Sequence, residues 1–409
     1  MKPYLAIIYQ PMNDAFSDIV EKYLQLALRF DKYQQGVVDA AYGKAAQLRE
    51  RIAQEPPFAL KQLYEHAQAI LSTLEHVSSS RAKYLYAQTL ALQTMVEKKL
   101  GRVFPFREEA RLCLGITQVS WQDESELSPH IETLERLLDG SGTLSERFVR
   151  WRKRFELNAQ TIERFISAAL HEAKEIAHQL FPLPDNYVEV RLVRNKPWAG
   201  YHWYQGNFRS IYELNIDIPT TIWNILHTTT HEAFCGHHTE AIVKEAELVN
   251  KCGYDEFSIS LLGTPASLLA EGLAEVAEYL VIGETMDSVS WLNAHHHLHH
   301  CLLSECDAQI LCTLTELGHK PLINAALLMH EHHASDDTVF AYLRRFSPSE
   351  DELLHRMIAR LRDNDYRTYM LTYPIGKSLV MQSLETAHNP AEKAEKFYEM
   401  LKAVNYPLN

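Results

Sequence analysis

Residues 231–238 read His231, Glu232, Ala233, Phe234, Cys235, Gly236, His237 and His238. A His-Glu pair with further His close by offers a neutral imidazole for a divalent metal, a carboxylate beside it to take a proton, and a second imidazole to complete the grip. That combination serves metal-assisted hydrolysis. In the zinc-peptidase pattern two His four residues apart leave one helical face together. Here the fourth residue on from His231 is Cys235, and a straight helix would separate His231 from His238 by about 10 Å along its axis. The helix must therefore be interrupted if His237 or His238 is to join His231 on one ion. Gly236 permits the break, because glycine accepts backbone conformations that other residues avoid. Helical phase favours His238, whereas a break at Gly236 re-aims His237, and both stand as candidate ligands. His227, His231 and Cys235, spaced by four, form a rival His-His-Cys site on an unbroken helix. That rival leaves Glu232 and Gly236 without a role.

One more oxygen ligand is needed, and the segment from Thr264 to Glu278 is the best source. Thr264 reads as an N-cap and Pro265 as the first helical residue. Glu271, Glu275 and Glu278 then share one face, with Leu269, Leu273, Val276 and Leu280 opposite. An acidic stripe of this kind is ordinarily a solvated surface. Gly272, which weakens a helix and is usually kept for close packing, argues against that plainer reading. Glu271 is the expected ligand, with Glu275 or Glu278 orienting a His.

The octapeptide, the run Glu271-Gly272-Leu273-Ala274 followed by Glu278, and the later Tyr373-Pro374-Ile375-Gly376 together resemble the bacterial domain-of-unknown-function family numbered 885. Its motif is similar to His-Glu-Ala-x-Pro-Gly-His-His, and its fold resembles the gluzincin-like, Taq-type zinc carboxypeptidases. The resemblance spans about residues 200–376. It implies one zinc ion held by His231, one of His237 and His238, and Glu271, with Glu232 as the base. Where the family has proline this chain has Cys235, so the break rests on Gly236 alone. Zinc lowers the pKa of water and polarises a carbonyl, Glu232 receives the proton, and the oxyanion calls for a further donor. Tyr369 and Tyr373 are placed to give one, and Arg367 to grip a substrate carboxylate.

Elements must position these groups. Upstream, residues 208–218 alternate apolar and polar as a strand does, and Pro219 ends it. A strand just before a metal-binding helix suits a cleft edge that pairs with an extended peptide. Its aromatic run Tyr201 to Tyr204 is expected to line the pocket, with Tyr204 and Arg209 as substrate contacts. Elsewhere helical periodicity dominates, as in 19–30 and 81–100, broken at Pro56-Pro57, Gly140-Ser141-Gly142, Gly318 to Pro321 and Ser347-Pro348-Ser349. The expected fold is mainly α, a large helical metallopeptidase-like architecture with a small β-sheet at the edge of a central cleft. An N-terminal helical region (1–181) would precede a catalytic region (182–409), the two being separate lobes or one integrated domain.

A chain of 409 residues with 46% hydrophobic residues and a net charge of −13 is an ordinary globular composition. That charge argues against a nucleic-acid partner, and no apolar run reaches membrane-spanning length. Residues 4–9 are too short an apolar run for a secretory signal. Six cysteines without a Cys-x-x-Cys pair suit reduced thiols and a cytoplasmic location. The expectation is a metal-dependent amide hydrolase, a metallopeptidase of carboxypeptidase type acting on a peptide or small amide. One alternative is a di-metal carboxylate oxidase built on Glu175/His178, Glu316/His319 and Glu352/His355. A metal-binding module without catalysis is another. The His runs at 295–300 and 330–333 lack the Glu and Gly context of the octapeptide and read as surface or supporting groups.

Overall fold

Helices form where the apolar periodicity asks for them, and their caps mark the ends. In the computed structural model, which describes residues 14–402 apart from 197, the two helices read at the N-terminal end run Asp14–Phe30 and Ser80–Lys99. Ser79 caps the latter by accepting from the Ala82 amide at 3.2 Å. The Pro56-Pro57 break falls between helices Gly43–Ala53 and Leu60–Leu74. After Gly140-Ser141-Gly142, Thr143 and Glu146 form a reciprocal capping box that starts Leu144–Lys153. The molecule is mainly α with small sheets, as the periodicity implies. The apolar run at residues 4–9 lies outside the described residues.

The described strands are β1 (Val38–Ala41), β2 (Tyr187–Val193), β3 (Gly200–Gly206), β4 (Arg209–Asn215) and β5 (Ile259–Leu261). β4 lies between β2, to which it is parallel, and β3, to which it is antiparallel. β3 turns into β4 through Asn207 and Phe208, both left-handed with φ of 52° and 59°, the conformation of a tight two-residue hairpin. The Glu245 carboxylate accepts from both of their amides, which supports a turn that Asn207 tolerates and Phe208 does not favour. β1 and β5 pair antiparallel, Ala41 opposite Ile259. They are too short to leave a readable period in the sequence.

One apolar core runs from Ile19 and Tyr23 through Phe165, Tyr212 and Leu273 to Phe397, so side chains from both sides of position 181 share it. Helix Pro265–Val281 passes through this core and crosses helix Thr372–Glu385 at closest range where Gly272 meets Gly376. A Cβ on Gly272 would stand 2.4 Å from the Gly376 carbonyl carbon and oxygen, so two glycines are what let the backbones touch.

Candidate metal centre

Helix Ile222–Glu232 carries His227 and His231 on one face and ends at Glu232. After four intervening residues a second short helix, His237–Val243, begins. The interruption expected between His231 and His237 is present, and two residues share it. Cys235 takes the left-handed conformation, φ 67°, and its amide donates to Thr239 Oγ1 at 2.9 Å. Gly236 has negative φ and serves by absence of bulk: a Cβ there would lie 1.9 Å from the His231 carbonyl oxygen. Glycine is needed for close approach, not for a left-handed angle.

The break re-aims His237. Its Nε2 lies 3.7 Å from Glu271 Oε1, and His231 Nε2 lies 3.4 Å from Glu271 Oε2. One ligand atom from each of the three sits within 4.8 Å of the others. Glu271 and Glu275 are buried, 6% and 9% exposed, so the acidic stripe faces the His helix and not solvent. Thr264 starts that helix as expected, its amide donating to the Ser267 hydroxyl at 3.1 Å.

His238 is excluded from the centre. One residue on from His237 in the new helix, it points to the sheet, where it joins a chain of hydrogen bonds. Asn186 Nδ2 donates to the Pro184 carbonyl at 2.9 Å, which leaves Oδ1 to accept from His238 Nε2 at 3.3 Å. His238 Nδ1 then accepts from the Ser210 hydroxyl at 2.7 Å, and Ser210 accepts from His202 Nε2 at 2.7 Å. Burial, with Lys174 adding to it, pushes the His238 pKa down to about 3, which keeps this ring neutral. Cys235 is buried and belongs to neither metal-competent cluster among the described residues, so the His-His-Cys site does not form.

His227 serves differently from a rival ligand. With His231 and Glu275 it makes a second cluster, yet its Nδ1 is 3.2 Å from Glu278 and its Nε2 3.5 Å from Glu275. His231 Nδ1 is 3.8 Å from the same Glu275 oxygen. Since His231 turns Nε2 to Glu271, Glu275 is best placed as the carboxylate behind that ring, orienting it. Burial disfavours charge on His227, but Glu275 and Glu278 more than offset it and lift its pKa to about 10. Burial likewise works against a charged His237, and Glu271, with Glu232 and Glu240 behind it, lifts it to about 10. Burial acts to raise the Glu271 carboxyl, and His237 and His231 overcome it and hold it well below the usual range. The carboxylates of this cluster are what hold protons on His227 and His237.

No protein-family model matches the chain, and no curated protein matches it. Among solved structures it is similar to a protein of Colwellia psychrerythraea provisionally described as a lipoprotein, at 15% identity and a TM-score of 0.48, over 92% of this chain and 69% of that one. It is also similar to a protein named BsuCP, at 9% identity and a TM-score of 0.37, over 96% and 89% of the two chains.

The centre opens on a cavity of about 720 Å³ whose walls include Glu232, Tyr201, Tyr204, Tyr369 and Tyr373. Glu232 is pressed close to β3, its Oε1 lying 3.2 Å from where a Gly200 Cβ would be. Burial raises the Glu232 pKa, and His231 and His237 only partly counter it. The Tyr369 hydroxyl donates to Glu271 Oε1 at 2.5 Å, and the Tyr373 ring lies 6.4 Å from that of His231. Tyr204 lines the cavity but gives its hydroxyl to Glu245.

Two expected substrate contacts are elsewhere. Arg367 is consumed by the buried Glu109, its Nε 2.8 Å from Oε2, and by the Phe104 carbonyl at 2.8 Å. Arg209 lies over the Tyr187 ring at 5.0 Å and is absent from the cavity wall. Asp39 on β1, which nothing in the sequence marked, does line the cavity and accepts from the Tyr201 hydroxyl. The Glu-x-x-His pairs contribute to neither cluster among the described residues: His178 meets Asn186, Glu316 meets His130, and Glu352 meets Arg356. His295 binds Glu172, and His299 and His330 bind backbone carbonyls.

Proposed function

We propose that this chain is a metal-dependent amide hydrolase, a zinc metallopeptidase with one ion held by His231, His237 and Glu271. The observation that carries the reading is the convergence of these three donors beside a buried carboxylate, Glu232, on the wall of one cavity. The donor set fits the group: two imidazoles and a carboxylate are a zinc-hydrolase set. Glu271 Oε2 is a buried oxygen with no hydrogen-bond partner among the described residues, as a ligand atom kept for a cation would be. When bound, the ion would polarise a carbonyl oxygen and acidify water.

The residues of the chain do the rest. Glu232 takes the proton of the attacking water on a carboxylate oxygen and returns it to the leaving nitrogen; burial raises its pKa, which makes it a stronger base than a solvated carboxylate. Tyr373, beside His231, is the donor for the oxyanion. Tyr369 steadies Glu271 through its hydroxyl, and Glu275, 3.8 Å from His231 Nδ1, is the carboxylate that would orient that ring. A carboxypeptidase needs a cation for the substrate carboxylate, and Arg360 is an arginine on the cavity wall, as Arg367 is not. The resemblance of the octapeptide to family 885 and six unpaired thiols support a cytoplasmic peptidase.

Glu232→Gln tests the reading. The variant should keep its zinc by elemental analysis while hydrolysis of a mixed peptide pool falls by roughly 100-fold or more. Full turnover in the variant would remove Glu232 as the base, and loss of zinc would make it a ligand.

A further inference from the structure

A polar group on the cavity wall has no part in this chemistry. Gln88, on helix Ser80–Lys99, is 1% exposed and lines the same cavity as Glu232 and His231. Neither Nε2 nor Oε1 finds a hydrogen-bond partner among the described residues. A primary amide carries two donors and an accepting oxygen, and native interiors seldom leave such a group wholly unpaired. Leucine would fill this helical position with equal helix propensity and no desolvation penalty. The surroundings are aromatic: Tyr84 stands one turn earlier on the same helical face, its ring 4.5 Å from Phe257, and Tyr23 lines the same wall.

The buried carboxylates acting on Tyr84 are Glu256 and Glu240. Both are already balanced. Arg81 forks Glu256 at 2.6 and 2.8 Å, and Lys244 pairs with Glu240. Neither is left to compensate a charged guest, so the wall favours a neutral group that both donates and accepts.

We propose that Gln88 is a recognition residue for a carboxamide, a glutamine or asparagine side chain of the substrate, paired amide to amide within the aromatic part of the cavity. The inference rests on the peptide-hydrolase reading and names its substrate class. Two N–H···O bonds would satisfy groups that are otherwise desolvated on both partners, and an apolar side chain of equal length would leave Gln88 unpaired.

Binding without turnover tests it, using full-length zinc-loaded protein carrying Glu232→Gln and the tripeptides Ala-Gln-Ala and Ala-Met-Ala in calorimetric titrations. The glutamine peptide should bind roughly 10-fold tighter or better. Adding Gln88→Leu, or Gln88→Met should the leucine variant fold poorly, should erase or reverse that preference. The same substitution in the unliganded protein should raise its thermal midpoint, because an unpaired amide is removed from the interior. Equal affinity for the two peptides, the result an internal water satisfying Gln88 would give, overturns the proposal. So do failure of both to bind, a preference that survives the substitution, and a lowered midpoint. Turnover by protein with Glu232 intact is scored separately. Peptides cleaved without discrimination remove only the role of Gln88, and Gln88-dependent binding without cleavage removes only the hydrolase.

Discussion

Asp39 places a carboxyl group on the cavity wall with the Tyr201 hydroxyl as its donor. Burial raises its pKa from 3.8 to about 6, Tyr201 and His237 pull the other way, and Glu271 and Glu232 add to the rise. A carboxyl whose folded pKa exceeds its unfolded one binds protons more tightly when folded, so it favours folding at low pH and loses that contribution as pH climbs from about 4 to 6. Asp39→Asn keeps an acceptor for Tyr201 and has no proton to lose. We expect it to raise the thermal midpoint above pH 6 and to flatten the dependence between about pH 4 and 6. An unchanged profile would mean that Asp39 is ordinarily solvated. Residues of this kind are hidden in the sequence because their role comes from burial in a wall assembled from distant segments. That His231, Glu232 and Glu271 meet at one cavity was legible, because the pattern in the sequence restricts residue type and spacing together. Arg367 shows the limit: its charge was visible, its buried partner Glu109 was not.

Between elements, the decisive feature is the crossing of Pro265–Val281 with Thr372–Glu385. Gly272 and Gly376 sit one against the other, which brings Tyr369, in the turn just before the second helix, to Glu271 on the first, and Tyr373 beside His231. Gly272 was legible as a packing glycine because it weakens a helix that has no other use for it; its partner could not be read, since no local pattern encodes which helix comes to it. Gly272→Ala should improve intrinsic helix propensity by about 1 kcal/mol. It must also displace backbone and not a pliable side chain, an overpacking cost of about 1–3 kcal/mol or more. The expected result is a net loss of stability in denaturant melts and lower hydrolytic turnover, as Tyr369 and Tyr373 move from Glu271 and His231. A variant as stable and active as the parent would show that the crossing tolerates separation. The same reasoning explains the octapeptide: the sequence demanded a break, yet Cys235 bears the left-handed angle while Gly236 gives clearance.

At the scale of the molecule, the centre ties together two successive helices of the octapeptide and the core helix that carries Glu271. No helix among the described residues is long and apolar enough to cross a membrane. A cation bound by the native arrangement and not by the unfolded chain stabilises the whole, by about 2.7 kcal/mol at a hundred times its dissociation constant. Adding zinc should therefore raise the thermal midpoint, and His231→Ala or His237→Ala should abolish the rise. His238→Ala separates the neighbours. It removes no ligand, so the zinc-induced rise should persist. It also strands Ser210 and Asn186 in the interior, so the baseline should fall by about 1–3 kcal/mol. If instead His238→Ala abolishes the zinc response and His237→Ala leaves it intact, the break after Glu232 delivers the other imidazole, and the ligand set must be redrawn around the Ser210 side of the helix.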